Sequence, residues 1–193
     1  MAITASDVNK LRQQTGAGMM DCKNALVEAN GDFEAAVDIL RKKGQKVAAK
    51  RGENEASEGL VFAQTSEDNK VGVLLTLNCE TDFVAKNDTY RNFVQSLVDI
   101  AMNNLPATAE ELKGLKYDDK LTVEEKITEQ VGVIGEKLDL SGYAVVKGDT
   151  VVAYNHPGNQ LATLVALNKG GEEVAEAGRQ VAMQVAAMNP IAL

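Results

Sequence analysis

The sequence predicts an α+β protein in which an N-terminal three-helix module precedes a duplicated core of antiparallel sheet and helix. The first 44 residues contain three short segments with helical apolar spacing, separated by glycines. Farther along, alternating strands followed by an amphipathic helix occur twice, about 90 residues apart. We therefore expect a helical module and basic linker at 1–52, a first core copy with a helical connector at 53–137, and a second, incomplete copy at 138–193.

The composition is that of an ordinary globular protein, with 45% hydrophobic and 25% charged residues in 193. No apolar run approaches the roughly 18 residues of a membrane span, and "MAITASD" lacks the features of a signal peptide. We expect a cytoplasmic protein that does not bind membranes. Cys22 and Cys79 match no metal-ligand spacing, so we expect reduced structural thiols.

The helical module has clear start and stop signals. Thr4 and Asp7 fit a capping box at the first helix, and Gly16 to Gly18 break that helix. The second helix, "MMDCKNALVEAN", stops near Gly31. Asp32 then caps a third helix, which we expect to end at Gly44. Three such helices predict a small bundle.

The module resembles the ubiquitin-associated fold, an interaction module whose loop between the first two helices commonly carries the contact. That loop is "TGAGMM" in this chain. A dinucleotide-binding loop is disfavoured because the glycines follow a helix, the third glycine is missing and no βαβ unit surrounds them.

The core copies can be aligned by their strand ends. "EGLVFAQTSEDNKVGVLLTLN" parallels "SGYAVVKGDTVVAYNHPGNQLATLVALN", so that Leu77 aligns with Leu167 and Met102 with Met188. Each copy predicts a hairpin and one amphipathic helix. The apolar residues predicted to share one face of the second helix are Val174, Val181, Val185 and Met188. The connector between the copies reads as helical, with possible caps at Thr108 and Thr122.

A corner with the sequence "NCETDFVAKND", residues 78–88, follows the last strand of the first copy. The second copy has "KGGEEVAEAG" there, so glycines suffice to turn strand into helix. In one interpretation Thr81 or Asp82 caps a short turn that aims Phe83 outward as a protein-binding hot spot. In the other, Phe83 folds back as a lid on the core. Periodicity alone leaves both open.

Two motifs resemble the elongation factor Ts family. They are "LRQQTGAGMMDCKNAL" at 11–26 and "LNCETDFVAKN" at 77–87, and the resemblance extends over the entire chain. One departure is Thr76, where the family usually has Glu. The resemblance implies a guanine-nucleotide exchange factor for elongation factor Tu, the GTPase that delivers aminoacyl-tRNA.

The resemblance also assigns site residues. Thr81, Asp82, Phe83 and Val84 would enter the GTPase domain and disturb its Mg²⁺ site, and Arg12, Met19 and Met20 would be secondary contacts. It implies no catalytic residue, no metal ligand and no cofactor, so we expect a protein that is not an enzyme. The alternative is a ubiquitin-associated-like interaction module on a non-catalytic scaffold. A small hydrolase or transferase is disfavoured because His156 is the only histidine and no nucleophile motif occurs.

The net charge of −8 is unevenly distributed. Residues 1–52 carry nine Lys and Arg against six Asp and Glu, whereas the remainder carries eleven against twenty-two. An acidic bulk repels phosphate backbones, so direct nucleic-acid binding is not expected. Because the chain ends at Leu193 on an apolar segment, where relatives continue into a helical hairpin, we expect a truncated form that is mainly monomeric.

Overall fold

The computed structural model describes residues 3–190 of the chain. The helices in this range are α1 Ala5–Thr15, α2 Met19–Glu28, α3 Phe33–Arg51, α4 Asp82–Ala85, α5 Asp88–Asn104, α6 Ala109–Gly114, α7 Val123–Ile134 and α8 Glu172–Met188. The strands are β1 Glu58–Thr65, β2 Val71–Cys79, β3 Asp139–Lys147, β4 Thr150–Asn155 and β5 Ala162–Leu167. The α+β class predicted from the sequence is confirmed. Leu193, the apolar chain end, lies outside the described residues.

The chain divides into two compact units. The first combines Met1–Glu55 with Glu125–Leu138, and the second combines Ala56–Glu124 with Asp139–Leu193. In the first unit α1, α2 and α3 enclose a small apolar core, with the buried side chains Val8, Leu11, Ala17, Cys22, Ala25, Leu26 and Ala36. The predicted capping box is present, since Asp7 N–H donates to Thr4 Oγ1 at 3.2 Å and Thr4 N–H to Asp7 Oδ2 at 3.0 Å.

Helix α3 is longer than the sequence predicted. It runs from Phe33 to Arg51, straight through Gly44, so the prediction that Gly44 ends the helix was wrong. Gly44 is buried because α7 crosses there, and a Cβ built on Gly44 would lie 3.4 Å from the Cα of Gly132. Gly44 therefore lies at a close helix crossing within the first unit instead of ending α3.

Helix α7 belongs by its contacts mainly to the first unit, in which residues 125–138 pack with the N-terminal helices. The sequence had placed residues up to 137 with the first core copy, because they follow that copy along the chain. The difference arises because α7 crosses a helix that is distant in sequence. The spacing of apolar residues within a segment does not reveal such a contact. The division of the chain into three predicted domains stays a prediction.

The second unit contains the repeated hairpin-and-helix motif. In the first copy β1 pairs antiparallel with β2 and α5 packs on both strands. In the second copy β4 pairs antiparallel with β5, and α8 covers them. Strand β3, which the sequence placed in the second copy, instead pairs with β2 and completes a three-stranded sheet in the order β1-β2-β3.

The two sheets of this unit pack face to face. A Cβ built on Gly72 of β2 would meet the side chains of Val151 and Leu164 at 2.7 and 2.9 Å, so only glycine allows this approach. Helix α8 lies on the opposite face of β4–β5, where Gly178 approaches Val152 and Leu167. The layers are therefore α5, the three-stranded sheet, the two-stranded sheet and α8.

The face of α8 that packs on its sheet carries small residues. Gly178 and Ala182 are buried there, whereas Val181 is 46% and Met188 68% exposed. Small residues bring the helix close to the sheet, so the larger apolar side chains are displaced to the flank. Of the four apolar residues predicted to share one face, Val174 and Val185 are half-buried, whereas Val181 and Met188 are exposed. No helix within residues 3–190 is both long and apolar enough to cross a membrane.

Candidate functional site

The corner between β2 and α5 contains a short capped helix. Strand β2 ends at Cys79, and the four-residue α4 begins at Asp82. Thr81 is its N-cap: Thr81 has an extended backbone, and its Oγ1 accepts from Val84 N–H at 3.5 Å. Of the two capping residues considered from the sequence, the structure assigns the cap to Thr81.

Phe83 projects from this helix into solvent. Its side chain is 82% exposed, the largest value among the large apolar residues that the structure describes as exposed. Ala85, on the same helix, is 6% exposed and anchors the turn against the protein, while Val84 is half-buried. The outward interpretation of the corner is the one that the structure supports, and Phe83 is not a lid on the core.

An ion pair braces the same turn. Lys86 Nζ donates to Asp82 Oδ2 at 2.6 Å, an i,i+4 pair on the solvent side. The hydrogen bond from Lys86 lowers the pKa of Asp82, and the bond to Asp82 raises the pKa of Lys86. Both side chains therefore remain charged at neutral pH, and the ion pair holds Asp82 in place beside Phe83.

The base of the corner is tied to the core by α5. Asn87 caps this helix through its Oδ1, which accepts from Thr89 N–H at 2.8 Å. Tyr90 is 2% exposed, and its hydroxyl donates to the Leu77 carbonyl at 2.8 Å. The start of α5 is thus fastened to the end of β2, on either side of the exposed turn.

The equivalent corner of the second copy lacks these features. Helix α8 starts after Gly171, which has a φ of 116° and no side chain to cap the helix. The two copies therefore share the layer arrangement and differ at the corner. This contrast supports a binding role for the first corner, because a simple strand-to-helix connection needs neither a cap nor an exposed aromatic ring.

The residues assigned as secondary contacts lie together in the first unit. Arg12 is exposed in the last turn of α1, and its carbonyl accepts from Gly16 N–H at 2.8 Å, with Gly16 in the left-handed region at φ 72°. Met19 and Met20 begin α2 and are 56% and 63% exposed. The tight turn thus presents a cation and two thioethers on neighbouring helix ends.

Two supports of the corner escaped the sequence analysis. The Asp82–Lys86 pair has the i,i+4 spacing that stabilises helices, so its signal was present in "TDFVAK". The Tyr90 hydrogen bond has no local signal, because its acceptor is a backbone carbonyl 13 residues earlier. In the part of the chain that the structure describes, no group of three or more His, Cys, Asp or Glu side chains could hold a metal ion.

The comparisons with known proteins agree with these motifs. Residues 80–193 match the family model described as elongation factor TS. Over 194 residues, covering all of this chain and 70% of the relative, the chain is 53% identical to elongation factor Ts of Amoebophilus asiaticus. It is 53% identical over 192 residues to the protein of that name in Christiangramia forsetii, covering 99% of this chain and 69% of the relative. For that of Porphyromonas gingivalis, the identity is 48% over 193 residues, with coverages of 100% and 69%. The chain therefore belongs to the elongation factor Ts family of translation elongation factors.

Proposed function

We propose that this chain is a guanine-nucleotide exchange factor that binds elongation factor Tu carrying GDP and promotes release of that GDP. The observation that carries the proposal is the exposure of Phe83, 82%, on a helix that is capped at Thr81 and anchored at Ala85. A rigid exposed aromatic ring with polar neighbours has little conformational entropy to lose on binding.

The proposed mechanism is displacement of the metal that helps to hold the nucleotide. A GTPase binds GDP largely through Mg²⁺ and backbone donors around the phosphates. Entry of the corner, Thr81 to Val84, into the GTPase domain would move the loop that supports this ion. Each loss of about 1.4 kcal/mol weakens nucleotide binding tenfold.

The same coupling operates in reverse. If the factor weakens nucleotide binding, the nucleotide must weaken factor binding by the same ratio, so that GTP can release the factor. No bond is made or broken by the factor in this cycle. We therefore expect a protein that is not an enzyme and needs no cofactor of its own.

The exposed group Arg12, Met19 and Met20 would supply a second contact to the same partner. Methionine side chains adapt to irregular surfaces, and arginine suits a carboxylate or carbonyl partner. We expect this contact to contribute mainly affinity, whereas the Phe83 corner contributes the change in nucleotide binding. The two roles can be separated by measuring binding and exchange independently.

The setting of this activity follows from the role in translation. We expect the chain to act in the cytoplasm and, with its net charge of −8, to make no direct contact with nucleic acid. We also expect it to be mainly monomeric. Sedimentation at low micromolar concentration measures the last point, and a stable dimer would contradict it.

Release of fluorescently labelled GDP from elongation factor Tu tests the function. We expect the unaltered chain to accelerate release and Phe83→Ala to reduce that acceleration tenfold or more, while the variant still binds the GTPase. Val181→Ala is a matched control, since Val181 is a solvent-exposed apolar residue of the same unit on α8. Binding without faster release by the unaltered chain would contradict the proposal and favour the interaction-module alternative.

A further inference from the structure

The turn between β4 and β5 fastens the outer edge of β1. Asn155 acts as a surrogate strand: its Oδ1 accepts from Ala63 N–H and its Nδ2 donates to the Ala63 carbonyl, both at 2.8 Å. Asn159 does the same two residues earlier along β1, accepting from Val61 N–H at 2.7 Å through its carbonyl and donating to the Val61 carbonyl at 3.2 Å through Nδ2. An edge that would otherwise be open is thereby paired.

Arg91 connects this turn to the helix that follows the exposed corner. It lies in the first turn of α5, and its Nη1 donates to Asn159 Oδ1 at 2.8 Å. Its guanidinium carbon also lies 5.4 Å from the centre of the Phe62 ring, a cation–π distance. Asn159 is 8% exposed and has a φ of 55°. Its side chain is held in place by the bond that it donates to Val61 and the bond that it accepts from Arg91.

The corner and the turn face each other beside Arg91. Asp82 and Lys86 from the corner, Gly158 and Gln160 from the turn, and Arg91 between them line a cleft of about 350 Å³. Only Lys86 and Asn87 separate α4 from α5. The first turn of α5 therefore supports the helix that carries Phe83, and Arg91 is one of the residues that hold this turn in place.

We propose that Arg91 is a positioning residue for nucleotide exchange, which acts through Asn159 to fix the first turn of α5 and hence the orientation of Phe83. The inference rests on the proposed function. Tyr90 fastens the same helical turn to β2. Arg91 fastens it to β1 and to the β4–β5 turn, so that the two bonds together define its tilt.

The chemistry of the contact favours arginine. A planar guanidinium donates to an amide oxygen while its face stacks on an aromatic ring, and the bond is charge-assisted. Removing the side chain would leave the Asn159 Oδ1 without this donor and would open the cleft beside the corner. A displacement of about 1 Å in a functional group can reduce a rate by up to two orders of magnitude.

Hydrogen exchange on the free chain tests the fastening without the GTPase. In Arg91→Ala we expect the Val61 amide, which bonds to the Asn159 carbonyl, to exchange at least fivefold faster, while amides of the β2–β3 pairing keep their protection. Unchanged protection of Val61 would overturn the inference. Loss of protection throughout both sheets would overturn it also, because the arginine would then support the whole unit rather than one turn.

Nucleotide exchange tests the consequence, over a range of factor concentrations. We expect Arg91→Ala to lower the maximal rate of GDP release at least threefold and to change the half-saturating concentration less, since the contacting side chains remain. Arg91→Lys keeps a cation and a donor, so it should restore at least half of the lost rate. Arg179→Ala, at an exposed arginine of α8 in the same unit, is the control and should match the unaltered chain.

A double-mutant cycle with Asn159→Ala separates positioning from direct contact. If Arg91 acts through Asn159, then Arg91→Ala adds little to the rate already lost in Asn159→Ala. Multiplicative losses would overturn the inference and place Arg91 in contact with the partner. Failure of the unaltered chain to accelerate GDP release would instead refute the proposed function, while the hydrogen-exchange result would still stand or fall by itself.

Discussion

Gly44 of α3 and Gly132 of α7 touch backbone to backbone where the two helices of the first unit cross. The contact is asymmetric. A Cβ built on Gly132 would overlap the Cα of Gly44, whereas a Cβ built on Gly44 would lie at an ordinary 3.4 Å from the Cα of Gly132. Gly132 is therefore required by the packing, whereas an alanine would fit in place of Gly44.

We expect Gly132→Ala to destabilise the first unit by about 1–3 kcal/mol, because the added methyl group must displace the backbone of α3. Gly44→Ala should be neutral or stabilising by up to about 1 kcal/mol, since alanine favours the helix interior. Urea unfolding of both variants measures the difference. Equal effects of the two substitutions would contradict this account of the crossing.

The same crossing shows where prediction from the sequence failed. Helix starts were predicted well, because caps are local: Thr4, Asp32, Thr81 and Thr108 all accept a hydrogen bond from the first turn of a helix. A glycine within a helical pattern has the same local appearance whether it ends the helix or faces another helix. Gly44 was assigned to the first role and has the second.

The direction in which a side chain points was the other feature that the sequence did not predict. The sequence left Phe83 open between a buried and an exposed position, because both satisfy the same pattern of residues. The structure shows that Ala85 is the buried residue of α4, so that Phe83, on the other side of this helix, faces solvent. For α8, periodicity identified an amphipathic helix but not that Gly178 and Ala182 would face the sheet. Tertiary packing, rather than local preference, determines both.

The two phenylalanines Phe83 and Phe93 give a matched test of burial. Phe83 is 82% exposed and Phe93, on α5, is 7% exposed. We expect Phe83→Ala to change the free energy of unfolding by less than about 0.5 kcal/mol and Phe93→Ala to cost about 3–5 kcal/mol. Denaturant unfolding measures both. A Phe83→Ala protein that loses several kcal/mol of stability would return this ring to the core.

Tyr143 gives a prediction at high pH. Burial, followed by the charge of Glu111, raises its pKa from 10.0 to about 12, and its hydroxyl donates to the Pro106 carbonyl at 2.9 Å. The folded state favours the neutral phenol, so this stabilisation is complete below pH 10 and is lost as the pH rises through about 12. We expect Tyr143 to ionise late in an absorbance titration, a contribution that Tyr143→Phe removes. Ionisation of every tyrosine near the ordinary value would contradict this.

Asp82 provides a test of whether the ion pair helps to hold the corner. Its pKa is lowered by the hydrogen bond from Lys86, so its contribution is present above the ordinary value of 3.8 and is lost as the pH falls through the lower folded value. Asp82→Asn imitates the protonated form at neutral pH, where the GTPase remains folded. We expect this variant to slow GDP release less than Phe83→Ala does, because Thr81 still caps α4 while only the brace to Lys86 is weakened. Lys86→Met, which removes the same pair from the other side, should give a loss of similar size. If Asp82→Asn lowered the rate as far as Phe83→Ala and Lys86→Met did not, the carboxylate would act chiefly by its contact with the partner, and the ion pair would not be needed to hold the turn.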